Sequence, residues 1–379
     1  MPEGELRERF LFELLRDAHG FAAGFDHDRP GELEPLHLPW RRRLERARQR
    51  AKAVAERGAR RAGFNRRHFD PERASRRLGA ILDNLDGLER TYEAMADDRS
   101  RQLLLDVLKL RTLGPSHVDL PVGAAEYRDR QARVDRACRS GDDAIPVTDP
   151  FLPRLHRYRV DGDVRLYSHS LVVLNMFELE QYAYRHGTAR VEPEAGDVAI
   201  DAGGCWGDTA LWLAERVGPE GRVYTFEFSP DSVEVLRRNL ELNPRLAERV
   251  VVVEEALWDR TGERLEFAPA GQLTAVTRGG NGATRTVTTV TLDDFAEREG
   301  IERVGFLKMD VEGAEPNVLR GARRRLAEDS PKLAVAAYHA DSDLAELPAL
   351  VLDAQPGYRL YLDHFSPGEH ETVLFGATG

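Results

Sequence analysis

The stretch Gly196-Asp-Val-Ala-Ile-Asp-Ala-Gly-Gly-Cys-Trp-Gly-Asp-Thr209 limits the fold of this chain more than any other segment. A short apolar run, Val198 to Ala202, is broken only by Asp201. Gly203, Gly204 and Gly207 follow, and then a helical pattern through Leu211, Leu213 and Val217. The order is strand, glycine turn, helix, an arrangement in which a ligand can lie against backbone N–H groups at a helix N-terminus. A side chain on those glycines would block the approach.

Two ligand classes compete for such a turn. Ala202-x-Gly204-x-x-Gly207 reads as a degenerate dinucleotide fingerprint, with Glu227 at about the ~20-residue distance of a ribose-binding acid. In the other frame, Asp201-x-Gly203-x-x-x-Gly207, an acid closes the strand. That carboxylate suits S-adenosylmethionine, whose amino-acid end is cationic, and does not suit a pyrophosphate. Charge complementarity favours the methyl donor. An ordinary tight turn would explain the glycines but not Asp201 and Glu227 together.

A length of 379 residues leaves room for two domains with proper cores. The net charge of −11 offers no bulk attraction to nucleic acid or anionic lipid. Only four of the 54 basic residues are lysines, which reads as coding bias rather than function. Cys138 and Cys205 are too few for a disulfide framework or a cysteine zinc site. No basic-then-apolar leader opens the chain, and no apolar run approaches the ~18 residues of a membrane helix. A cytoplasmic protein is expected.

Residues 1–140 read as a helical N-terminal region. Leu6, Phe10, Leu14 and Leu15 make an apolar stripe. Arg41–Arg67 is rich in arginine and alanine, with a weak face of Leu44, Ala47, Ala51 and Val54. Such a run can hold an acidic substrate or RNA, but a solvated helix face accounts for it as well. Asp70-Pro71 starts the next helix, followed by Leu78, Ile81, Leu82, Leu85 and Leu88 at helical spacing. Residues 141–189 read as a flanking or cap segment, with a hairpin around Asp161-Gly162 and a helix over Asn175–His186. From 190 to 379 strands and helices alternate. The strands lie near Val223–Glu227, Val250–Val253, Thr286–Leu292, Phe306–Asp310 and Leu333–Tyr338, with a closing pair at Tyr358–Leu362 and Glu371–Phe375.

Several ordered pieces carry a family resemblance. They are Asp201-Ala-Gly-Gly-Cys-Trp-Gly207, Phe226-Glu-Phe-Ser-Pro230, Thr291-Leu-Asp-Asp294, Lys308-Met-Asp-Val-Glu-Gly-Ala-Glu315, Tyr338-His339 and Glu371-Thr-Val-Leu374. Together they resemble the FkbM family of S-adenosylmethionine-dependent methyltransferases over residues 150–376. The family often has proline where Phe228 stands. The resemblance implies an α/β class I methyltransferase (Rossmann-like) fold, a doubly wound sheet with a closing antiparallel strand pair, here preceded by the helical region. It also implies O-methylation of a sugar or natural-product hydroxyl.

Donor binding is expected from Asp201, Gly203, Gly204, Gly207, Glu227, Phe228, Glu255 and Ala256. Glu227 is placed to accept from the ribose hydroxyls, and Glu255-Ala256 lies where the adenine edge should be read. Trp206, Trp258 and Phe228 are candidates for stacking on adenine or for the core. Cys205 is expected to contribute its backbone only. The base candidates are Asp310, Glu312, His339 and His364, near strand carboxyl ends where open α/β sheets bind ligands. His339 leads because an imidazole titrates near neutral pH. Asp310 with His339 could also hold a divalent metal, a thin case with two ligands.

The expected partner is a small-molecule or glycan acceptor, with no membrane; a homo-oligomer stays open beside the monomer. The alternative function is a nucleic-acid or protein methyltransferase docking through Arg41–Arg67. Methylation of exocyclic base amines usually goes with a Pro-Pro-aromatic turn after the fourth strand. Here that place reads Asp310-Val-Glu-Gly313, an acidic rim that repels phosphate. Nucleic acid is not the expected acceptor.

Overall fold

The computed structural model describes residues 6, 8–10, 13, 71–115, 118–160, 163–277 and 285–379. Leu14, Leu15 and the Arg41–Arg67 run therefore lie outside the described residues.

A seven-stranded sheet forms the centre of the catalytic region. Its strands are β1 (Val198–Ala202), β2 (Arg222–Phe226), β3 (Val250–Val253), β4 (Phe306–Met309), β5 (Lys332–Ala336), β6 (Tyr358–His364) and β7 (Thr372–Thr378). They lie in the order β6-β7-β5-β4-β1-β2-β3. The pairs β5–β4, β4–β1, β1–β2 and β2–β3 are parallel, and β7 runs antiparallel to both β5 and β6. This is the doubly wound sheet with its closing antiparallel pair. The chain leaves β1 toward β2 and β3, then crosses back to β4, so the strand order reverses between β1 and β4. Ligands of open α/β sheets bind at such a reversal.

The buried residues of β1 and β4 read as continuous apolar runs because helices cover both faces of the sheet. Two polar exceptions stand side by side, since the register sets Lys308 of β4 directly against Asp201 of β1. The helix Asp208–Val217 follows the glycine turn and buries Leu211, Trp212 and Leu213 among residues of the sheet. Pro230, at the first position of the next helix, starts Pro230–Glu241 after Ser229.

The helical N-terminal region does not stand apart as the 1–140 boundary suggests. Leu78, Ile81, Leu88, Leu104 and Leu108 are buried in one cluster with Ile200, Leu307, Leu333 and Leu360. Leu6 and Phe10 are buried in that cluster too. The backbone N–H of Ala96 donates to Leu360 O at 2.8 Å, so the Met95–Ala96 connection covers the edge strand β6. The expected helix from Pro71 is present, but it breaks at Asn84 into Pro71–Asp83 and Leu85–Ala94.

Two more local readings change. Residues 175–186 are not one helix. Ser170–Val173 runs into a π turn over Leu174–Glu178, and Tyr184–His186 is a short strand. The β-rich stretch near Thr286 forms Arg285–Val290, which leaves the main sheet for a four-stranded one with Val276–Thr277, Arg264–Phe267 and Ala256–Leu257. The expected hairpin pairs Arg154–Val160 with Val164–Ser168, although its tip, residues 161–162, lies outside the described residues.

Candidate active site

A cleft of about 590 Å³, counted to its open mouth, lies at the carboxyl ends of β1, β2 and β4. Gly203, Cys205, Glu227 and Phe228 line one side, Ala256 and Val276 the apolar back, and Asp310 with Glu312 the far end. Gly203 has φ +86°, and a Cβ there would stand 1.9 Å from the backbone oxygen of Asp310. Only glycine lets the turn press against the end of β4. That contact joins the two halves of the cleft.

Glu227 is held by the turn itself. Its Oε2 accepts the Cys205 N–H at 2.9 Å and its Oε1 accepts the Ser229 N–H at 2.7 Å. Burial pushes its pKa up to about 7, against the backbone donors of Ser229, Cys205 and Phe228 and the charge of Lys308. The carboxylate lines the cleft, where its oxygens can accept further hydrogen bonds. Cys205 supplies this N–H from a left-handed backbone (φ +41°), and burial raises its thiol well above the usual range.

Asp201 behaves differently from the expectation. It is fully buried, and its Oδ2 accepts from the hydroxyls of Thr209 and Thr225, both at 2.8 Å. Its Oδ1 lies 3.1 Å from the Lys308 ammonium. The carboxylate faces Lys308 and the two threonines and does not line the cleft, where a donor's amino group would have to reach it. Lys308 also donates to the carbonyls of Ala202 (3.2 Å) and Gly203 (2.6 Å), so the pair fastens the glycine turn from beneath. Burial lowers the Lys308 pKa, but Asp201 and Asp310 outweigh it and the net shift is upward.

The nearby acid that sequence reasoning missed is Asp208, the first residue of its helix. Burial raises its pKa to about 6, with Lys308 opposing. An acid at a helix start was the available signal, and it passed for ordinary helix chemistry.

Gly204 and Gly207 support the turn without lining the cleft. A Cβ on Gly204 would meet Thr225 Oγ1 at 2.0 Å, and Gly207 caps the helix at φ +84°. Phe228 lines the cleft, its ring edge-on to Phe267 with centroids 4.9 Å apart. Trp206 and Trp258 are core instead. Glu255 borders the cleft with Ala256, but its carboxylate is paired with Arg298.

At the far end Asp310 accepts two phenol donors, Tyr182 at 2.7 Å and Tyr338 at 3.2 Å. Tyr182 comes from the 141–189 segment, which thereby contributes a side chain to the site. Gln181 beside it donates to Glu371 at 2.7 Å, and burial raises the Glu371 pKa to about 7. Tyr182 and Gln181 lie in no motif that sequence spacing marks, whereas Glu371 opens the Glu371-Thr-Val-Leu374 piece.

The expectation of a neutral His339 does not hold. Its Nδ1 lies 2.9 Å from Glu315, and its Nε2 lies 3.4 Å from Asp310 and 3.7 Å from Glu312. Burial lowers its pKa, but Glu312, Glu315 and Asp310 outweigh it and raise the value to about 11. The carboxylates favour the protonated imidazole, which makes it a poor general base at neutral pH unless another cation takes the place of its proton. His364 is 1% exposed in β6, does not line the cleft, and pairs its Nδ1 with the Thr372 hydroxyl at 2.9 Å. Burial drops its pKa to about 4. His364→Gln is expected to leave kcat unchanged while costing about 1 kcal/mol of stability for the lost bond, read by turnover and melting on one sample.

Residues 187–360 match the family model of the methyltransferase FkbM domain. That stretch, a little under half of the chain, is similar to an FkbM methyltransferase domain. The match is narrower than the span 150–376 over which the motifs run. The fold is similar to the crystal structure of methyltransferase FkbM from Methylobacillus flagellatus KT, with TM-score 0.51 and 22% identity over 79% of this chain and 61% of that one. A shorter stretch of 54 residues is 43% identical to a catechol O-methyltransferase of Mycobacterium tuberculosis (strain ATCC 25618 / H37Rv), covering 14% of this chain and 24% of that protein. The chain thus spans about three-fifths of the first relative and a quarter of the second.

For an S-adenosylmethionine-dependent FkbM domain the residues of the cleft fit the donor. Glu227 suits the ribose, Phe228 and Ala256 an aromatic base, and the Gly203–Cys205 backbone a close approach. Among the described residues no helix is long and apolar enough to cross a membrane.

Proposed function

We propose that this chain is an S-adenosylmethionine-dependent O-methyltransferase acting on a hydroxyl of a sugar, glycan or natural product. The observation that supports it most is the company Asp310 keeps. The Tyr182 and Tyr338 hydroxyls, Glu312 and the Gln181–Glu371 pair make a hydrogen-bonding wall at the end of a cleft suited to the donor. Such a wall matches a polyhydroxylated acceptor better than a stacked base, for which aromatic planes are wanted.

Bound donor supplies a methyl group on a sulfonium already primed to leave. Glu227 orients the ribose, and the Gly203 backbone fixes where the donor ends relative to Asp310. Asp310, held by two phenols, receives the acceptor hydroxyl in line with that methyl. As the new C–O bond forms and the S–C bond breaks, the hydroxyl proton passes to the carboxylates of Asp310 and Glu312. His339 steadies them. Positioning of this kind supplies up to about 7–11 kcal/mol, and proton removal typically about 10²–10⁴-fold.

The test is product identity. Full-length protein incubated with isotope-labelled donor and panels of glycosides and polyketides should place the label on oxygen, read by mass spectrometry. Label on nucleic acid or protein nitrogen would favour the second reading, in which Arg41–Arg67 docks a polymer. Absence of donor binding by calorimetry overturns both.

A further inference from the structure

Four carboxylates gather around one imidazole at the acceptor end of the cleft. Glu315 is fully buried against His339 Nδ1 and also accepts the Val311 N–H at 2.9 Å. Asp310 and Glu312 face His339 Nε2, and Glu371 is their electrostatic neighbour. The nearby cations are committed elsewhere: Lys308 to Asp201, and Arg111 to the carbonyl of Ala337. Even a protonated His339 leaves Asp310, Glu312 and Glu315 outnumbering it three to one in a largely buried place, which is costly without a further cation.

The distances say where that cation belongs. His339 is 10% exposed, and its Nε2 is buried without a hydrogen-bond partner of its own. Its separations from Asp310 (3.4 Å) and Glu312 (3.7 Å) exceed an N–H···O bond but suit atoms sharing one ion. Ligands at about 2.1 Å from a metal sit roughly 3.0 Å apart when adjacent and about 4.2 Å when opposite. Ligand atoms of Asp310, Glu312 and His339 all lie within 4.8 Å of one another.

The surroundings serve ligation. Glu315 on Nδ1 turns the imidazole so that Nε2 faces the two acids, the carboxylate–histidine arrangement that orients metal ligands. Tyr182 and Tyr338 fix Asp310 in the same way. Glu312 reaches the cluster from a left-handed backbone, φ +52°, followed by Gly313 at φ +91°. A non-glycine residue held there stores about 1–3 kcal/mol of strain, the kind kept for a functional placement.

We propose that Asp310, Glu312 and His339 hold a hard divalent cation, Mg²⁺ or Mn²⁺, at the acceptor end of the cleft. One nitrogen and two carboxylates suit such an ion and leave coordination positions open for oxygen. What the ion would do there, receiving the acceptor's hydroxyl oxygen, rests on the methyl-transfer reading. Whether it binds does not.

Chelator-stripped full-length protein, free of donor, is titrated with Mn²⁺ while free ion is followed by electron paramagnetic resonance. One saturable site is expected. Glu312→Gln, whose side chain is 25% exposed at a turn, should abolish it with the melting temperature kept, and His339→Gln should abolish it too, with a lower melting temperature because buried Glu315 loses its partner. Glu315→Gln, a positioning change, should weaken it by about 10–100-fold. His364→Gln should leave it intact. No saturable Mn²⁺ or Mg²⁺ binding to the wild-type chain, or binding that survives both ligand substitutions, overturns the proposal. S-adenosylhomocysteine affinity measured on the same samples separates the two claims. Donor-product binding without metal binding sinks the ion alone, and the reverse sinks the methyl-transfer reading alone.

Discussion

Replacing Asp201 by alanine is expected to destabilise the fold by about 3–5 kcal/mol, the usual cost of removing one partner of a buried ion pair. The argument rests on Lys308, which is 2% exposed and has its ammonium 3.1 Å from the Asp201 carboxylate. Without Asp201 the ammonium keeps two carbonyls and the face of Tyr182, 5.3 Å away, but no counter-charge in contact. The hydroxyls of Thr209 and Thr225 lose their acceptor at the same time. Denaturant unfolding of the variant reads the loss. Pairing Asp201→Ala with Lys308→Met should recover much of it, because removing both charges leaves neither buried alone. If Asp201 instead held the donor's amino group, the single variant would keep its stability and lose donor affinity. That result would reverse the assignment made here.

The same residue shows where sequence reasoning reaches its limit. Strand, glycine turn and helix were legible because Gly203, Gly204 and Gly207 answer to backbone geometry, which is local. An acid at the end of β1 was legible too, but its direction was not. Asp201 points into the sheet because cross-strand register sets Lys308 beside it, and register depends on a strand more than a hundred residues away. Glu227 was readable because its partners, the N–H groups of Cys205 and Ser229, belong to the adjoining turns. Tyr182 carried no signal, since its meeting with Asp310 spans 128 positions. His339 was identified, but its charge state was not. One imidazole near neutral pH is a fair default until three acids are folded around it. The N-terminal helices were legible as helices, and their place on the sheet was hidden because an apolar stripe does not name its partner.

Glu227→Gln is expected to weaken binding of S-adenosylmethionine or S-adenosylhomocysteine by about 10²-fold or more. Two ribose hydroxyls would each donate to a carboxylate oxygen, and bonds to a charged acceptor contribute roughly 1.5–3 kcal/mol apiece. Glutamine is nearly the same size, so the loss is chemical rather than steric. Both oxygens of Glu227 already receive a backbone N–H, from Cys205 and from Ser229. An amide must turn its NH₂ toward one of these donors, which removes an acceptor and disturbs the turn as well. The wild-type protein offers a second readout. Burial holds the Glu227 pKa near 7, above that of an exposed carboxyl, and only the ionised form accepts from both hydroxyls. Donor affinity should therefore be flat above about pH 8 and fall as pH drops through 7, approaching tenfold per unit. Glutamine does not titrate, so the variant should bind weakly with that slope gone. Calorimetry at several pH values on both proteins decides the matter. Equal affinities for the two proteins, or an unchanged slope in the variant, would take Glu227 out of the donor site.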